Sequence, residues 1–172
     1  MKEYQIFGLE TSKKDAQVIL IPVPWEVTAS YGSGTAEGPE LIFDASNQVD
    51  LFDIEVKNAY ECGYYMLPVN KKLKSENIKL RKLALKINHK LQNLKKLTSD
   101  DLAAQKKINA ACEKMNTYVY DSAKAALSEN KVIGVLGGDH STPLGAIKAI
   151  SEKYKGDFGV LHIDAHLDLR DS

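Results

Sequence analysis

Val132-Ile133-Gly134-Val135-Leu136-Gly137-Gly138-Asp139-His140-Ser141 is the stretch on which the fold turns. It opens with a short, nearly continuous apolar run, the pattern of a strand buried on both faces. The two glycines that follow permit a sharp turn and a close backbone approach, so His140 is delivered over the sheet edge toward a neighbouring strand end. Downstream the rhythm repeats. Pro143 to Lys153 has helical periodicity, and Phe158-Gly159-Val160-Leu161-His162-Ile163 reads as the next strand. Strands alternating with helices imply a parallel sheet covered on both faces.

Upstream the same architecture continues. Gln17 to Val23 is a β-branched apolar run closed by Pro22, Pro24 and Trp25. A polar, glycine-rich loop covers Glu26 to Gly38, and Pro39 opens an amphipathic helix through Leu41, Ile42 and Ala45. Residues Ala59 to Leu67 read as another strand. Lys71 to Lys96 sets a leucine stripe against lysines, which predicts an exposed amphipathic helix. Thr98-Ser99-Asp100-Asp101 supplies N-cap residues for a second long helix, reaching about Ser128. These elements make an α/β fold of three αβα layers around a parallel sheet.

The bulk properties narrow the function. The chain has 172 residues and is 44% hydrophobic, enough for one globular domain. Lys plus Arg and Asp plus Glu both number 23, so no net field draws it to nucleic acid or an anionic membrane. Cys62 and Cys112 stand alone, which excludes a disulfide framework or a thiolate zinc site. The amino terminus lacks a signal-peptide layout and no run spans a bilayer, making the cytoplasm the default location. Gly32, Gly34 and Gly38 lie too far from the preceding strand for a dinucleotide fingerprint. The lysines at 71–96 read as a solvated helix face.

The chemistry concentrates in His162-Ile163-Asp164-Ala165-His166-Leu167-Asp168, at the end of the last strand. Asp164, His166 and Asp168 are spaced two apart, so an extended backbone projects all three to one side. Carboxylates with imidazole and no thiolate suit Mn²⁺, Fe²⁺ or Zn²⁺, and the carboxylate excess leans toward Mn²⁺. Open parallel sheets bind ligands beyond the carboxyl ends of their strands, where this comb falls. Aspartates that merely cap a helix are the bland alternative.

Gly-Gly-Asp-His-Ser followed by Asp-Ala-His-Leu-Asp resembles the ureohydrolase family of agmatinases and arginases. The stretch Thr28 to Glu40 is similar to that family's substrate-mouth loop. The resemblance implies an arginase-like fold, of which residues 1–172 form the amino-terminal part of a single domain. It implies that His140 and Asp168 bind one Mn²⁺, that His166 binds a second, and that Asp164 bridges both. Asp164 and His166 are then the catalytic candidates of a centre in which paired ions ionise water to attack a guanidinium carbon, releasing urea and an amine. Asp139 and His162 orient the ligands, although a packed strand histidine explains His162 as well.

The family's later segment, with two further metal-binding aspartates, a substrate-binding glutamate and a proton-shuttling histidine, is not in this sequence. Weak or single metal occupancy is therefore expected of these residues alone. Leu169-Arg170-Asp171-Ser172 looks closest to bacterial agmatinases, which makes agmatine the leading substrate, ahead of guanidinobutyrate and arginine. Ala36 and Glu37 depart from the usual basic mouth pattern. The resemblance also implies a homo-oligomer, a trimer or hexamer. The alternative is a noncatalytic short homologue that binds metal weakly or associates with a full-length relative.

Overall fold

The computed structural model describes residues 5–166. Its sheet has three parallel strands: β1 (Val18–Pro22), β2 (Tyr64–Met66) and β3 (Val132–Leu136), in the order β2-β1-β3. Val18 pairs with Tyr64 on one side and Val132 on the other, and the β3 ladder runs on to Pro22 opposite Leu136. The backbone N–H of Val23 extends that ladder by donating to Leu136 O at 2.8 Å. Because the strands are parallel, the loops that leave β1 and β3 emerge at the same edge.

Side-chain alternation on β1 divides the core into two. Ile21, with Val23 and Trp25 beyond the strand, packs against α2 (Lys71–Gln92), α3 (Ser99–Ser128) and α4 (Leu144–Lys153). Leu20 faces the opposite way, onto a smaller cluster with Ile6, Met66, Val69 and Phe43 of α1 (Gly38–Ala45). Helices on both faces of a parallel sheet give the αβα arrangement expected from the sequence.

Local chemistry explains the helix ends. The Asn70 side chain accepts from the N–H groups of Lys72 and Leu73, starting α2. Thr98 and Asp101 form a reciprocal capping box, in which Asp101 Oδ2 accepts from Thr98 N at 2.8 Å and Thr98 Oγ1 accepts from Asp101 N. From there α3 runs unbroken to Ser128. Gly145 lets α4 lie close against α3, since a Cβ there would stand 2.3 Å from Asn116 O.

Several expectations need correction. Phe158–Ile163 forms no strand: Val160, Leu161 and Ile163 are exposed, and the segment pairs with no described neighbour. Lys155 and Gly156, both at positive φ, turn the backbone after α4, and an apolar run without a ladder partner cannot become a strand. Gly63, at φ 71, ends a 3₁₀ turn over Ala59–Cys62, so only Tyr64–Met66 of the 59–67 region pairs. Helix α2 stops at Gln92, with Leu94 at positive φ just beyond. On α1 the inward side is Pro39 and Phe43, whereas Leu41, Ile42 and Ala45 face out.

Candidate metal centre

The loop after β3 is shaped by backbone contact. A Cβ on Gly138 would lie 1.7 Å from Trp25 O, and one on Gly137 would lie 2.3 Å from Thr142 Oγ1. Only glycine allows this turn to pass so close to the chain leaving β1. The N–H of Asp139 then donates to Trp25 O at 2.8 Å, fastening the two loops together.

Asp139 continues the fastening with its carboxylate. Oδ2 accepts from Thr28 N at 2.9 Å and Thr28 Oγ1 at 2.7 Å, while Oδ1 accepts from Ser141 N at 3.1 Å and Ser141 Oγ at 2.6 Å. Its contacts thus tie Thr28, on the loop after β1, to Ser141, just past His140. Nearby, burial and then the Asp139 charge push the Cys112 thiol above its ordinary range.

Asp164 is the hub of the site. Its Oδ2 stands 3.2 Å from His140 Nε2 and 4.0 Å from His162 Nε2. Its Oδ1 accepts from the backbone N–H of His166 at 2.6 Å and lies 3.0 Å from His166 Nδ1. Three imidazoles thus crowd one carboxylate, whose side chain keeps only 14% of its surface exposed. The His166 N–H holds the Asp164 carboxyl below its usual range, opposed by partial burial and helped by the imidazoles of His166 and His140.

This geometry brings His140, Asp164 and His166 around one group, while Asp168, with Leu167 and residues 169–172, lies outside the described residues. The route differs from the extended comb read in the sequence. A bend at Ala165–His166, closed by the Asp164 carboxylate, brings His166 back onto its neighbour. His162 also departs from the packed-strand alternative: its side chain is about half exposed and its ring centroid is 5.8 Å from that of His140.

The donor set fits a divalent cation. His140, His162 and Asp164 each offer an atom within 4.8 Å of the others. Imidazole and carboxylate donors bind such ions at about 2.0–2.2 Å, so neighbouring donors around one ion stand roughly 3–4 Å apart. The second Asp164 oxygen, turned to His166, leaves this carboxylate able to serve two positions at once.

Sequence reasoning missed the residues that hold the loop between β1 and α1. Glu26, Asn77 and Arg81 are all buried polar groups. Glu26 Oε2 accepts from Gly34 N at 2.7 Å, Ala36 N at 3.2 Å and Thr35 Oγ1 at 3.3 Å. Asn77 and Arg81 sit on α2, and their signal was obscured by the lysine-rich surface of that helix.

Comparison with known proteins places this architecture. The model of the arginase family matches residues 16–172. The chain belongs to the arginase family. Among curated relatives, it is similar to N(1)-aminopropylagmatine ureohydrolase of Synechocystis sp., at 29% identity over 94% of this chain and 43% of the relative. A Thermus thermophilus protein of the same name is 26% identical over 95% of this chain and 44% of its own length. The arginase of Saccharomyces cerevisiae shares 43% identity over a shorter stretch, 30% of this chain and 15% of the relative. This arginase-family chain therefore spans less than half the length of the relatives it matches along most of its own. No solved structure matches it. Among the described residues, no helix is long and apolar enough to cross a membrane.

Proposed function

We propose that this chain contributes to a Mn²⁺-dependent ureohydrolase centre that cleaves a guanidino compound into urea and an amine. The observation that carries the reading is the division of the Asp164 carboxylate, one oxygen turned to His140 and the other to His166. That arrangement supports Asp164 as the group that would bridge two ions, with His140 as a ligand of one and His166 of the other; Asp168, outside the described residues, joins the first by the family resemblance alone. Bound Mn²⁺ lowers the pKa of water enough to supply a nucleophile near neutral pH.

The chain's own residues perform the remaining tasks. Asp164 supplies negative charge where two cations and a cationic guanidinium must be brought together. Asp139 holds the turn that presents His140, and His162 flanks both His140 and Asp164 to limit their orientations. The loop at 26–38 borders the same sheet edge and forms the mouth through which the guanidino end enters. The names of the relatives favour an agmatine extended by an aminopropyl group over agmatine itself. Assembly into a homo-oligomer belongs to the same reading.

The test is Mn²⁺ binding followed by electron paramagnetic resonance, alongside urea release from agmatine and from N1-aminopropylagmatine. Binding that disappears in both His140→Ala and Asp164→Ala is expected, with any urea coming faster from the extended compound. A wild-type protein that leaves millimolar Mn²⁺ free would overturn the proposal. Faster urea release from agmatine would return the substrate assignment to the shorter compound.

A further inference from the structure

Arginine is scarce in this sequence: it occurs only at Arg81 and Arg170, while lysine serves everywhere else. Arg81 is also one of the few charged groups that the fold buries, at 5% exposure, on the inner side of a helix whose outer face is lysine. A planar guanidinium directs several donors at once, which an ammonium on a flexible stem cannot reproduce.

The two terminal nitrogens both turn to one loop, while Nε has no hydrogen-bond partner among the described residues. Arg81 Nη1 donates to Ala29 O and reaches Val27 O at 3.5 Å, and Nη2 donates to Gly32 O at 2.6 Å. One helical turn earlier, Asn77 Oδ1 accepts from Glu26 N at 2.7 Å. Two of the carbonyls reached by Arg81, those of Val27 and Ala29, flank Thr28, and Thr28 directs both its N–H and its hydroxyl to Asp139 Oδ2. Asp139 in turn fastens Ser141 on the far side of His140.

We infer that Arg81 is a positioning residue for His140, acting through Thr28 and Asp139. It also fixes the course of the mouth loop. The inference rests on the metal-centre reading for its link to function, but the mechanical path from α2 to the β3 loop stands on the contacts alone. Fixing Val27 and Ala29 sets where Thr28 points. Thr28 then decides how Asp139 is held, and with it the turn that aims the imidazole. Helix α2, remote in sequence from both motifs, thereby sets the geometry of the site.

The experiment compares the whole protein with Arg81→Lys, Thr28→Val and the double variant. Thr28 is exposed, so its substitution leaves the core intact. Each single change is expected to weaken Mn²⁺ binding roughly tenfold, in the range typical for residues that orient metal ligands. The double variant is expected to bind no more weakly than Arg81→Lys, because both act on one path. Wild-type affinity in either single variant, or losses that multiply, would overturn the inference. Should Arg81→Lys not fold, Thr28→Val decides alone, with retained affinity counting against the path.

Hydrogen exchange of the Ser141 amide without metal provides a separate readout, because that N–H donates to Asp139. Faster exchange in Arg81→Lys and Thr28→Val, at unchanged exchange in the middle of α3, supports the path even if the protein binds no Mn²⁺. Exchange at the wild-type rate in both variants would overturn it, whatever the metal result. Failure of the metal-centre reading is thus told apart from failure of the positioning path.

Discussion

His140 Nε2 and Asp164 Oδ2 stand 3.2 Å apart, brought together from the loop after β3 and the segment after α4. Converting Asp164 to asparagine preserves its shape but removes the charge and one acceptor. Mn²⁺ affinity is expected to fall by at least tenfold, on the order of the loss for disturbing a metal site. Isothermal titration of Mn²⁺ into wild type and Asp164→Asn checks this, and equal affinities would exclude Asp164 as a ligand.

Gly138 is required by geometry alone: its missing Cβ is where Trp25 O lies, at 1.7 Å. Gly138→Ala must push two backbone segments apart, and neither is a flexible side-chain end. A loss of about 3 kcal/mol or more is expected for such overpacking. Gly156→Ala meets nothing within 4 Å but sits at φ +81, so it is expected to cost only about 1–2 kcal/mol. Urea denaturation of both variants gives the comparison, and similar losses would show that the β3 loop can relax.

Asp101 provides the pH prediction. Hydrogen bonding to Lys90, then to the backbone and side chain of Thr98, lowers its carboxyl to about 2. A carboxyl depressed in the folded state contributes stability above its unfolded value, near 3.8, and loses it as pH falls toward about 2. Wild type is therefore expected to lose stability between those values more steeply than Asp101→Asn, which has no carboxylate to protonate. Denaturant midpoints measured down that range test the sign, and parallel curves would remove Asp101 from the account.

How much of this was legible depended on whether the deciding interactions were local. Strands β1 and β3 and the Thr98 cap follow from runs and spacings within a few residues, and the structure has them close to where the sequence puts them. Phe158–Ile163 has the same apolar signature, but strand formation needs a partner edge, which no local pattern reports. The glycine pair at 137–138 signalled close approach without saying to what. Arg81 and Asn77 were hidden because a helical stripe counts apolar residues, whereas these two are buried to satisfy loop carbonyls and a loop N–H.

Glu26 supplies a further prediction, since its single oxygen Oε2 gathers the N–H groups of Gly34 and Ala36 with the hydroxyl of Thr35. Glu26→Gln keeps an acceptor but replaces charge-assisted bonds with neutral ones, and adds N–H donors that need partners in a buried place. A loss of about 1–3 kcal/mol is expected, together with faster amide exchange at Gly34 and Ala36. Exchange confined to wild-type rates would show that the loop is held from α2 alone.

His162 and His140 both face Asp164 Oδ2, but at 4.0 and 3.2 Å, and this difference separates their roles. A group that orients ligands weakens binding when removed, whereas a ligand's removal abolishes it. His162→Ala is expected to lower Mn²⁺ affinity about tenfold, and His140→Ala to lower it further. His162→Gln, which retains a side-chain donor of similar reach, is expected to recover part of the loss. Should His162→Ala prove as damaging as His140→Ala, with no recovery in His162→Gln, His162 would have to be counted as a direct ligand. The donor set would then be the one that meets in the fold, His140, His162 and Asp164, rather than the one spaced two apart along the chain.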